Sequence, residues 1–569
     1  MAMLKRCGII VAAVSAVYAS GVVASSPSLS YSVSWNSSPF PSGASVRLLS
    51  SDRLMTETWA AGQGLLRSTR AVYTFAVNTI DYKVSLMGYD PNSEEYYNTR
   101  DQVHMRTAKR ILKLCETNRG FYIKAGQFIA SMQHVPKEFV QTLSVLQDKA
   151  SFWPFKLMEQ VFQEEFGKSA EEIYGIFDET PIAAASLAQV HHAFLKDGQE
   201  VAVKVQYPGL QRQFETDIAT MAFLSKAIAW LFPDYQFEWM VPEFEKNLLR
   251  ELDFLQEANN AERTAKSFAH KEGILVPRVV KDLTTNRILT MEFMEGCKID
   301  DVQALEKAGI DPEQVAQELV EIFAEMVFCH GYVHGDPHPG NILVHKHPGR
   351  KSPNFDIVLL DHGLYRDFDE SFRLSYCRLW RAIVLLDSDE LQEAGRQLGA
   401  GEFTRYLPII FTGRGMGSKS ELGQAMSAEE QKVLKEEVRR FTMADISNWM
   451  EGLPREFLTI LRTDGLVRSI SNKLGASRRS RLIAYVKYAV AGLAIGIRGE
   501  PSLQAQGWLV YTRAQLDYIY LRLRLEVFDL VYKASLLYGA LLYHWNSLST
   551  QIQQVVKIEV LIQVPLLTV

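Results

Sequence analysis

Three polar side chains near the middle of the sequence could carry phosphoryl transfer. Asp336 and Asn341 lie in His334-Gly335-Asp336-Pro337-His338-Pro339-Gly340-Asn341, which runs into the apolar, strand-like Ile342-Leu343-Val344. Asp361 ends a second apolar run, Val358-Leu359-Leu360, and is followed by His362-Gly363. Moving a phosphoryl group from a nucleotide needs one carboxylate to orient the acceptor or take its proton. It also needs an amide and a second carboxylate to hold a metal on the phosphates. In that scheme Asp336 is the catalytic carboxylate, and Asn341 and Asp361 are the Mg²⁺ ligands. Read differently, His334, Asp336 and His338 could present three ligands to a transition metal from one side of an extended segment. Magnesium, which prefers oxygen ligands with substrate phosphates, suits Asn341 and Asp361 better.

Protein kinases place the same groups as H-R-D-x-x-x-x-N followed by D-F-G. Here Gly335 stands for the Arg and His362 for the Phe. The other half of an ATP site should then lie upstream. After Phe177-Asp178 the composition becomes strand-like, and Pro181 to His191 followed by Ala193-Phe194-Leu195, a turn at Lys196-Asp197-Gly198, and Val201-Ala202-Val203-Lys204-Val205-Gln206 predict a hairpin. It ends in V-A-V-K, where a kinase carries V-A-I-K with its Lys on the phosphates; a lone V-A-V-K is otherwise an apolar strand ending at the surface. Ala183-Ala184-Ala185-Ser186 stands where a Gly-rich loop would cover the phosphates. Alanine resists the positive φ that glycine permits, so this cradle should be stiffer. Glu251, Asp253 and Glu257 fall in a stretch whose Leu248, Leu252, Leu255 and Ala258 predict one helix face; one acid is needed to hold Lys204. Ile288 to Glu292 reads as a strand leading past Met294 to Gly296, a hinge whose backbone around Glu292 and Met294 could meet the adenine.

The elements that must position these groups are largely helical. Residues 55 to 166 have a three-to-four spacing of apolar positions, broken at Glu116 to Gly120 and restarted at Pro136. Lys124-Ala125-Gly126-Gln127 puts Lys124 and Gln127 on one helix face, with Gly126 allowing another backbone close; by itself such a pair is more often solvated. The 569-residue chain is 47% hydrophobic and 22% charged, the composition of a globular protein, and its charge of −5 gives no reason to expect a nucleic-acid partner. Five widely separated cysteines with no C-x-x-C pair argue against a disulfide framework or a zinc site. Lys5 and Arg6 precede an apolar run from Cys7 to Ala24, followed by a Ser-rich stretch with no acid before Asp52. That leader fits either a secretory signal peptide or an organelle-targeting segment and membrane anchor. An ATP-using enzyme is more at home inside an organelle, which favours mitochondria, including a membrane-associated or intermembrane-space location.

With these motifs in order, the chain resembles the UbiB/AarF atypical kinase-like proteins over roughly residues 100 to 400. Lys124 to Gln127 looks like the family's K-x-G-Q, Ala183 to Ser186 its Ala-rich loop, and Glu251-Leu252-Asp253 its E-x-D. Ala183 stands where related sequences often have Gly, and D-H-G marks a branch apart from the coenzyme-Q-associated members, which more often carry D-F-G. The resemblance implies that the K-x-G-Q helix roofs the nucleotide pocket and faces the E-x-D acids, so that Lys124 meets Glu251 and Asp253 and Glu257 pairs with Lys204. It also implies ATP binding or ATPase behaviour in support of lipid or quinone metabolism, with a lid where a peptide substrate would lie.

The C-terminal half points the same way. Only a short link separates Asp361-His362-Gly363 from the helical pattern Phe372, Leu374, Cys377, Leu379, Trp380, with no A-P-E and no room for a long activation loop. Arg468, Lys473, Arg478, Arg479 and Arg481 could meet anionic lipid but read more simply as a solvated helix end. The apolar stretches Tyr488 to Ile497 and Leu536 to Tyr543 are too short to span a bilayer. The expected fold is α+β and two-lobed, protein-kinase-like, with an N-terminal helical extension. Its expected parts are a leader or anchor (1–51), a helical extension with the K-x-G-Q lid (52–166), an N-lobe (167–294), a mostly helical C-lobe (295–545) and a tail (546–569). The expected function is an Mg-dependent, ATP-using phosphotransferase or ATPase with a lipid or small-molecule acceptor, with membrane association among the expected partnerships. The alternatives are a nucleotide-gated binding protein without transfer and a true protein kinase.

Overall fold

Glu200–Gln206 is buried at every position but its first because neighbouring strands flank it and helices cover both faces. The computed structural model describes residues 51–498, apart from 92, 132–134, 148–151, 234–237, 351, 417–425, 439–440 and 442, together with scattered helical positions between 512 and 527. The leader up to residue 50, Leu536 to Tyr543 and the tail 546–569 lie outside the described residues. The chain divides into two compact units. The first comprises residues up to Ile299, Asp336–Tyr365 and Thr442–Glu451; the second comprises Asp300–Gly335, Arg366–Phe441 and Gly452 onward.

In the first unit, an antiparallel sheet orders Ile176–Phe177, Ala188–Phe194, Glu200–Gln206 and Ile288–Glu292, with Ala183–Ala184 pairing onto the second of these strands. Lys204 is in register with Val190 on one side and Leu289 on the other. The expected hairpin closes through Lys196-Asp197-Gly198, where Gly198 adopts φ +87° and donates to the Leu195 carbonyl. One face of the sheet (Val201, Val203, Val205, Ile288) packs on Phe162, Tyr174, Phe214, Phe244, Leu248 and Phe121. Phe121 opens the helix Phe121–Ala130 that carries Lys124, so this helix is part of the core of the sheet. The other face buries Ala202, Leu289 and Met291 against Phe254 and Ala258.

The helical extension begins with Ser51–Ser85 and Glu94–Asn118. A buried ion pair holds the first of these helices in place: Arg67 Nε donates to Asp217 Oδ1 (3.1 Å) on the helix Leu210–Leu231, while Asn118 Nδ2 donates to the Arg67 carbonyl (3.1 Å). The chain then turns through Arg119 and Gly120, both at positive φ, into the Lys124 helix.

A second sheet in the same unit explains the spacing of the central motif. Ile342–Lys346 and Phe355–Leu359 form an antiparallel pair with Leu359 opposite Ile342. The Leu360 amide donates to the Asn341 carbonyl (2.9 Å), so the residues preceding the first strand and following the second are brought side by side.

In the second unit, helices Pro312–Glu325, Glu370–Leu385, Arg455–Lys473 and Arg478–Arg498 pack together, and a π-helical turn, Met326–His330, extends the first. Four members of the basic cluster have acidic partners, which displaces the picture of a solvated helix end. Arg481 is buried and donates to Asp464 Oδ1 (2.9 Å), Arg468 pairs with Asp464 Oδ2, Lys473 with Asp300 (2.7 Å) and Arg479 with Glu526 (3.0 Å). Tyr485 also donates to Asp464 (3.0 Å), and Val486, Ala489 and Val490 are core, so the apolar stretch is internal packing. Among the described residues no helix is long and apolar enough to cross a membrane.

Two predictions follow from this packing. A Cβ at Gly492 would collide with the Phe328 carbonyl, which also accepts a hydrogen bond from Arg373. Gly492→Ala should therefore destabilise the second unit by about 1–3 kcal/mol, the usual cost of overpacking, read as a lower denaturation midpoint. In the first unit, His192 meets Asp178 through Nδ1 (2.8 Å) and Glu200 through Nε2 (2.6 Å), with Phe194 and Phe293 against its ring. Burial alone would lower this imidazole, but the two carboxylates outweigh it and raise it above its ordinary 6.5. Its stabilisation is then complete below pH 6.5 and is lost as pH rises through the raised folded value. Wild type and His192→Gln should differ most in mildly acidic buffer and converge in alkali; a gap independent of pH would reduce the histidine to packing.

Candidate functional site

Two lysines from different elements converge on four carboxylates within the first unit. Lys204, on the central strand, places Nζ 2.7 and 3.0 Å from the two oxygens of Glu257 and 3.0 Å from Asp361 Oδ2. Lys124 places Nζ 2.8 Å from Glu251 Oε2 and 3.6 Å from Asp336 Oδ2. The two groups meet at Gly363: a Cβ there would lie 3.2 Å from Asp361 Oδ1, 3.6 Å from Glu257 Oε2 and 3.7 Å from Glu251 Cγ. A side chain at that position would crowd both clusters, which is a physical reason for glycine after His362.

The acids come from two helices, where the sequence pattern suggested one. Met240–Glu251 ends at Leu252, and Phe254–Ser267 begins anew with Asp253 as its N-cap, its carboxylate accepting from the Leu255 and Gln256 amides (3.1 Å each). Capping a helix start is a strong use for a short carboxylate, and it corrects the expectation for Asp253. That residue is exposed, and the second acid within ion-pair range of Lys124 is Asp336, 3.6 Å away. Glu257, one turn into the new helix, reaches Lys204 as expected.

Gln127 also differs from expectation. Its Nε2 donates to the Leu146 carbonyl (2.9 Å), tying the Lys124 helix to the 3₁₀ turn Ser144–Gln147. Gly126 makes room for side chains and not for a backbone, since a Cβ there would strike Leu146 Cδ1 and lie 3.2 Å from Cys115 Sγ.

Asn341 and Asp336 are joined through the backbone. Asn341 Nδ2 donates to the Asp336 carbonyl (3.2 Å), which turns the amide oxygen to the other side. Asp361 Oδ1 accepts from the Gly363 amide (2.9 Å). His338 Nδ1 accepts from the Gly340 amide (3.0 Å), and the His334 ring packs near Phe323 within the second unit. Among the described residues no group of three His, Cys, Asp or Glu is arranged to hold a metal by itself.

The charges shape one another. Burial would raise Asp361, but Lys204, the Gly363 amide and Lys124 outweigh it and hold the carboxyl far below the usual range. Burial pushes Glu257 up to about 7 against the pull of Lys204, and pushes Glu251 up against the pull of Lys124. Burial alone would lower Lys204; Asp361 and Glu257 together hold it above the usual lysine range.

The Ala-rich segment is a hydrogen-bonded hairpin. Ala183 and Ala184 pair with Val190 and Gln189, the Ala185 amide donates to the Ala188 carbonyl (2.7 Å), and Ser186 is buried in the turn. Tyr207, stacked on Trp153, donates its hydroxyl to the Ala185 carbonyl (3.2 Å). Glu292 ends its strand exposed, accepting from the Arg278 amide (3.3 Å), and Met294 follows in the link toward Gly296. Sequence reasoning gave no role to Asn260, whose Nδ2 donates to the His362 carbonyl (2.8 Å), or to Tyr365, which stacks on His362. Their spacing was the available signal: Asn260 lies one turn beyond Glu257, and Tyr365 just past the D-H-G.

Residues 145–395 match the ABC1 atypical kinase-like domain. AarF domain-containing protein kinase 1 of Xenopus laevis is 40% identical over 430 residues, covering 74% of this chain and 81% of that protein. The probable serine/threonine-protein kinase abkD of Dictyostelium discoideum is 42% identical over 432 residues; the match covers 75% of this chain but only 61% of that protein's length. Among solved structures, the Rv3197–erythromycin complex of Mycobacterium tuberculosis aligns over 67% of this chain and 95% of that one, with 22% identity and a TM-score of 0.43.

The Lys124 cluster can be probed by stability. Lys124→Met should leave Glu251 as an uncompensated, largely buried carboxylate and cost on the order of 3 kcal/mol. Adding Glu251→Gln should recover much of that loss in denaturant titrations. A double variant no more stable than the single one would show that the ion pair is not what Lys124 contributes.

Proposed function

The chain belongs to the ABC1, or AarF, family of atypical kinase-like proteins, and from that premise we propose that it is an ATP-binding phosphotransferase or ATPase acting on a lipid or other small acceptor. The observation that carries this reading is the assembled Lys204–Glu257–Asp361 cluster, with Asn341 and Asp336 on the adjoining hairpin. In this reading Lys204 holds the phosphates and Glu257 holds Lys204. The hairpin of Ala183, Ala184, Ala185 and Ser186 covers the phosphates, and the backbone about Glu292 and Met294 borders the adenine. Asp336 orients the acceptor and takes its proton.

The residues present fit magnesium. The Asp361 carboxylate and the Asn341 amide oxygen, turned aside by the bond from Nδ2, are oxygen donors of the kind it prefers. Two lysines also oppose four carboxylates when all are ionised, which leaves net negative charge for a divalent ion. Mg²⁺ held there would neutralise phosphate charge as the bond to the leaving oxygen breaks.

A second reading has its own support. Lys124 engages Asp336, so the carboxylate that would meet an acceptor is already paired. A nucleotide-gated binding protein, in which ATP decides whether Lys124 stays on Asp336, would use the same contact without transferring phosphate. The short link after Gly363 and the Lys124 contact both disfavour a peptide acceptor. For its setting we propose mitochondria, in lipid or membrane homeostasis, on the leader's composition and the family resemblance; the secretory pathway is the alternative.

Thermal shift with ADP or ATP, with and without Mg²⁺, tests the nucleotide reading. Wild type should be stabilised more with Mg²⁺, and Asp361→Asn should abolish the magnesium-dependent part; an unchanged shift would sink the assignment. Incubation of Asp336→Asn and wild type with Mg-ATP and mixed lipids, followed by a search for phosphorylated products, separates transfer from binding.

A further inference from the structure

The residue between Asp361 and Gly363 is a histidine where kinases carry an apolar phenylalanine, and its surroundings give that exchange a purpose. The His362 side chain is buried. Its Nε2 lies 3.1 Å from the Leu359 carbonyl, which can only accept, so this nitrogen carries a hydrogen; Nδ1 meets the Tyr365 hydroxyl at 3.0 Å. The two rings stack with an interplanar angle of 13°. The backbone of the same residue is held as well. Its carbonyl accepts from Asn260 Nδ2 at 2.8 Å, and its amide points at Glu257 Oε1 at 3.4 Å. Asn260 is fixed in turn by Gln256, whose Nε2 donates to Asn260 Oδ1 at 2.8 Å. The helix that supplies Glu257 to Lys204 therefore also grips the residue next to Asp361.

We propose that His362 is a positioning residue: clamped by Tyr365, Leu359 and Asn260, it fixes the D-H-G turn so that the Asp361 carboxylate faces Lys204 before any ligand binds. An apolar ring in the same turn can be expelled at the cost of its burial alone. Expelling His362 also breaks two directed bonds, one with the Tyr365 hydroxyl and one with the Leu359 carbonyl, and a buried polar group that loses a partner is costly. Replacing the imidazole by a ring of similar size but without nitrogens takes that partner away from both groups inside the fold. That outcome is worse than removing both partners together. The turn is thus held by polar bonds whose geometry admits one orientation, and Asp361 inherits that orientation through the Gly363 amide that it accepts. Any bearing of the clamp on magnesium rests on the nucleotide reading above; the clamp itself does not.

Amide hydrogen exchange on the nucleotide-free, magnesium-free full chain tests the clamp, because the Gly363 N–H is the bond it protects. In His362→Phe, exchange at Gly363 should accelerate on the order of tenfold, the loss expected when buried polar groups lose a partner. The paired strands 342–346 and 355–359 should be unaffected. Tyr365→Phe, a milder change, should accelerate it less, and the double variant His362→Phe/Tyr365→Phe should return part of the protection, since both members of that bond are then removed together. Unchanged exchange at Gly363 in His362→Phe, or equal acceleration throughout the strand pair, would overturn the proposal. Thermal shifts with ADP in the same variants separate the two ideas. Loss of the magnesium-dependent part alongside faster exchange extends the clamp to the metal. Faster exchange in a chain whose wild type shows no magnesium-dependent shift upholds the clamp and removes the nucleotide reading.

Discussion

Burying a lysine amine is unfavourable unless opposite charge goes in with it, and this constraint on Lys204 organises the first unit. The amine is nearly enclosed, and two carboxylates far apart in the sequence come to meet it: Glu257 from the first turn of a helix and Asp361 from just past the end of a strand. Each of those needs its own support. Glu257 depends on Asp253 to begin its helix at the right residue, and Asp361 depends on the hairpin register that sets Leu359 opposite Ile342. The second lysine repeats the solution in looser form, with Lys124 against Glu251 and Asp336. The chemistry proposed for the site is therefore an extension of an electrostatic balance that the fold already has to strike.

Much of this could be read from residue order. The hairpin ending in Lys204 was visible because alternation and an Asp-Gly turn are local signals, and the pairing of Asp336, Asn341 and Asp361 because their spacing is that of one strand pair. The helical extension and its break before Lys124 were legible from apolar period and from Gly120. What could not be read was where a side chain spends its hydrogen bonds. Asp253 and Glu251 look equivalent in the sequence, yet the backbone amides after Leu252 claim one and leave the other for Lys124. Gln127 likewise shares a face with Lys124 but finds the Leu146 carbonyl, contributed by a separate turn. Arg468 and Arg481 read as surface charge because nothing nearby in the sequence announces that Asp464 is buried between them.

The two clusters also differ in how replaceable they are. Around Lys204 both partners are short, directed contacts, and removing the lysine would leave Glu257 and Asp361 side by side without the cation they share. Around Lys124 the contact with Asp336 is longer than that with Glu251, so the lysine is held chiefly by one acid and shared with the other. An acceptor or a phosphate that competes for Asp336 therefore need not dissolve the whole ion pair, since Glu251 can keep the amine in place.

Phe121 belongs to the same apolar core as the central strand, and Gln127 and Gly126 fasten the other end of that helix. A helix anchored this way does not swing like a door. Moving it would open the interior of the lobe, at a cost comparable to partial unfolding. What can move is the end of the Lys124 side chain, and only as far as its bond to Glu251 allows, because leaving that buried carboxylate alone would be costly. Rotamer changes of an exposed side chain take picoseconds to nanoseconds, and those of a largely enclosed one longer, whereas hinged domain motions take microseconds to milliseconds. Access to the Asp336 carboxylate would on that footing be set by the short reach of one side chain that keeps hold of Glu251.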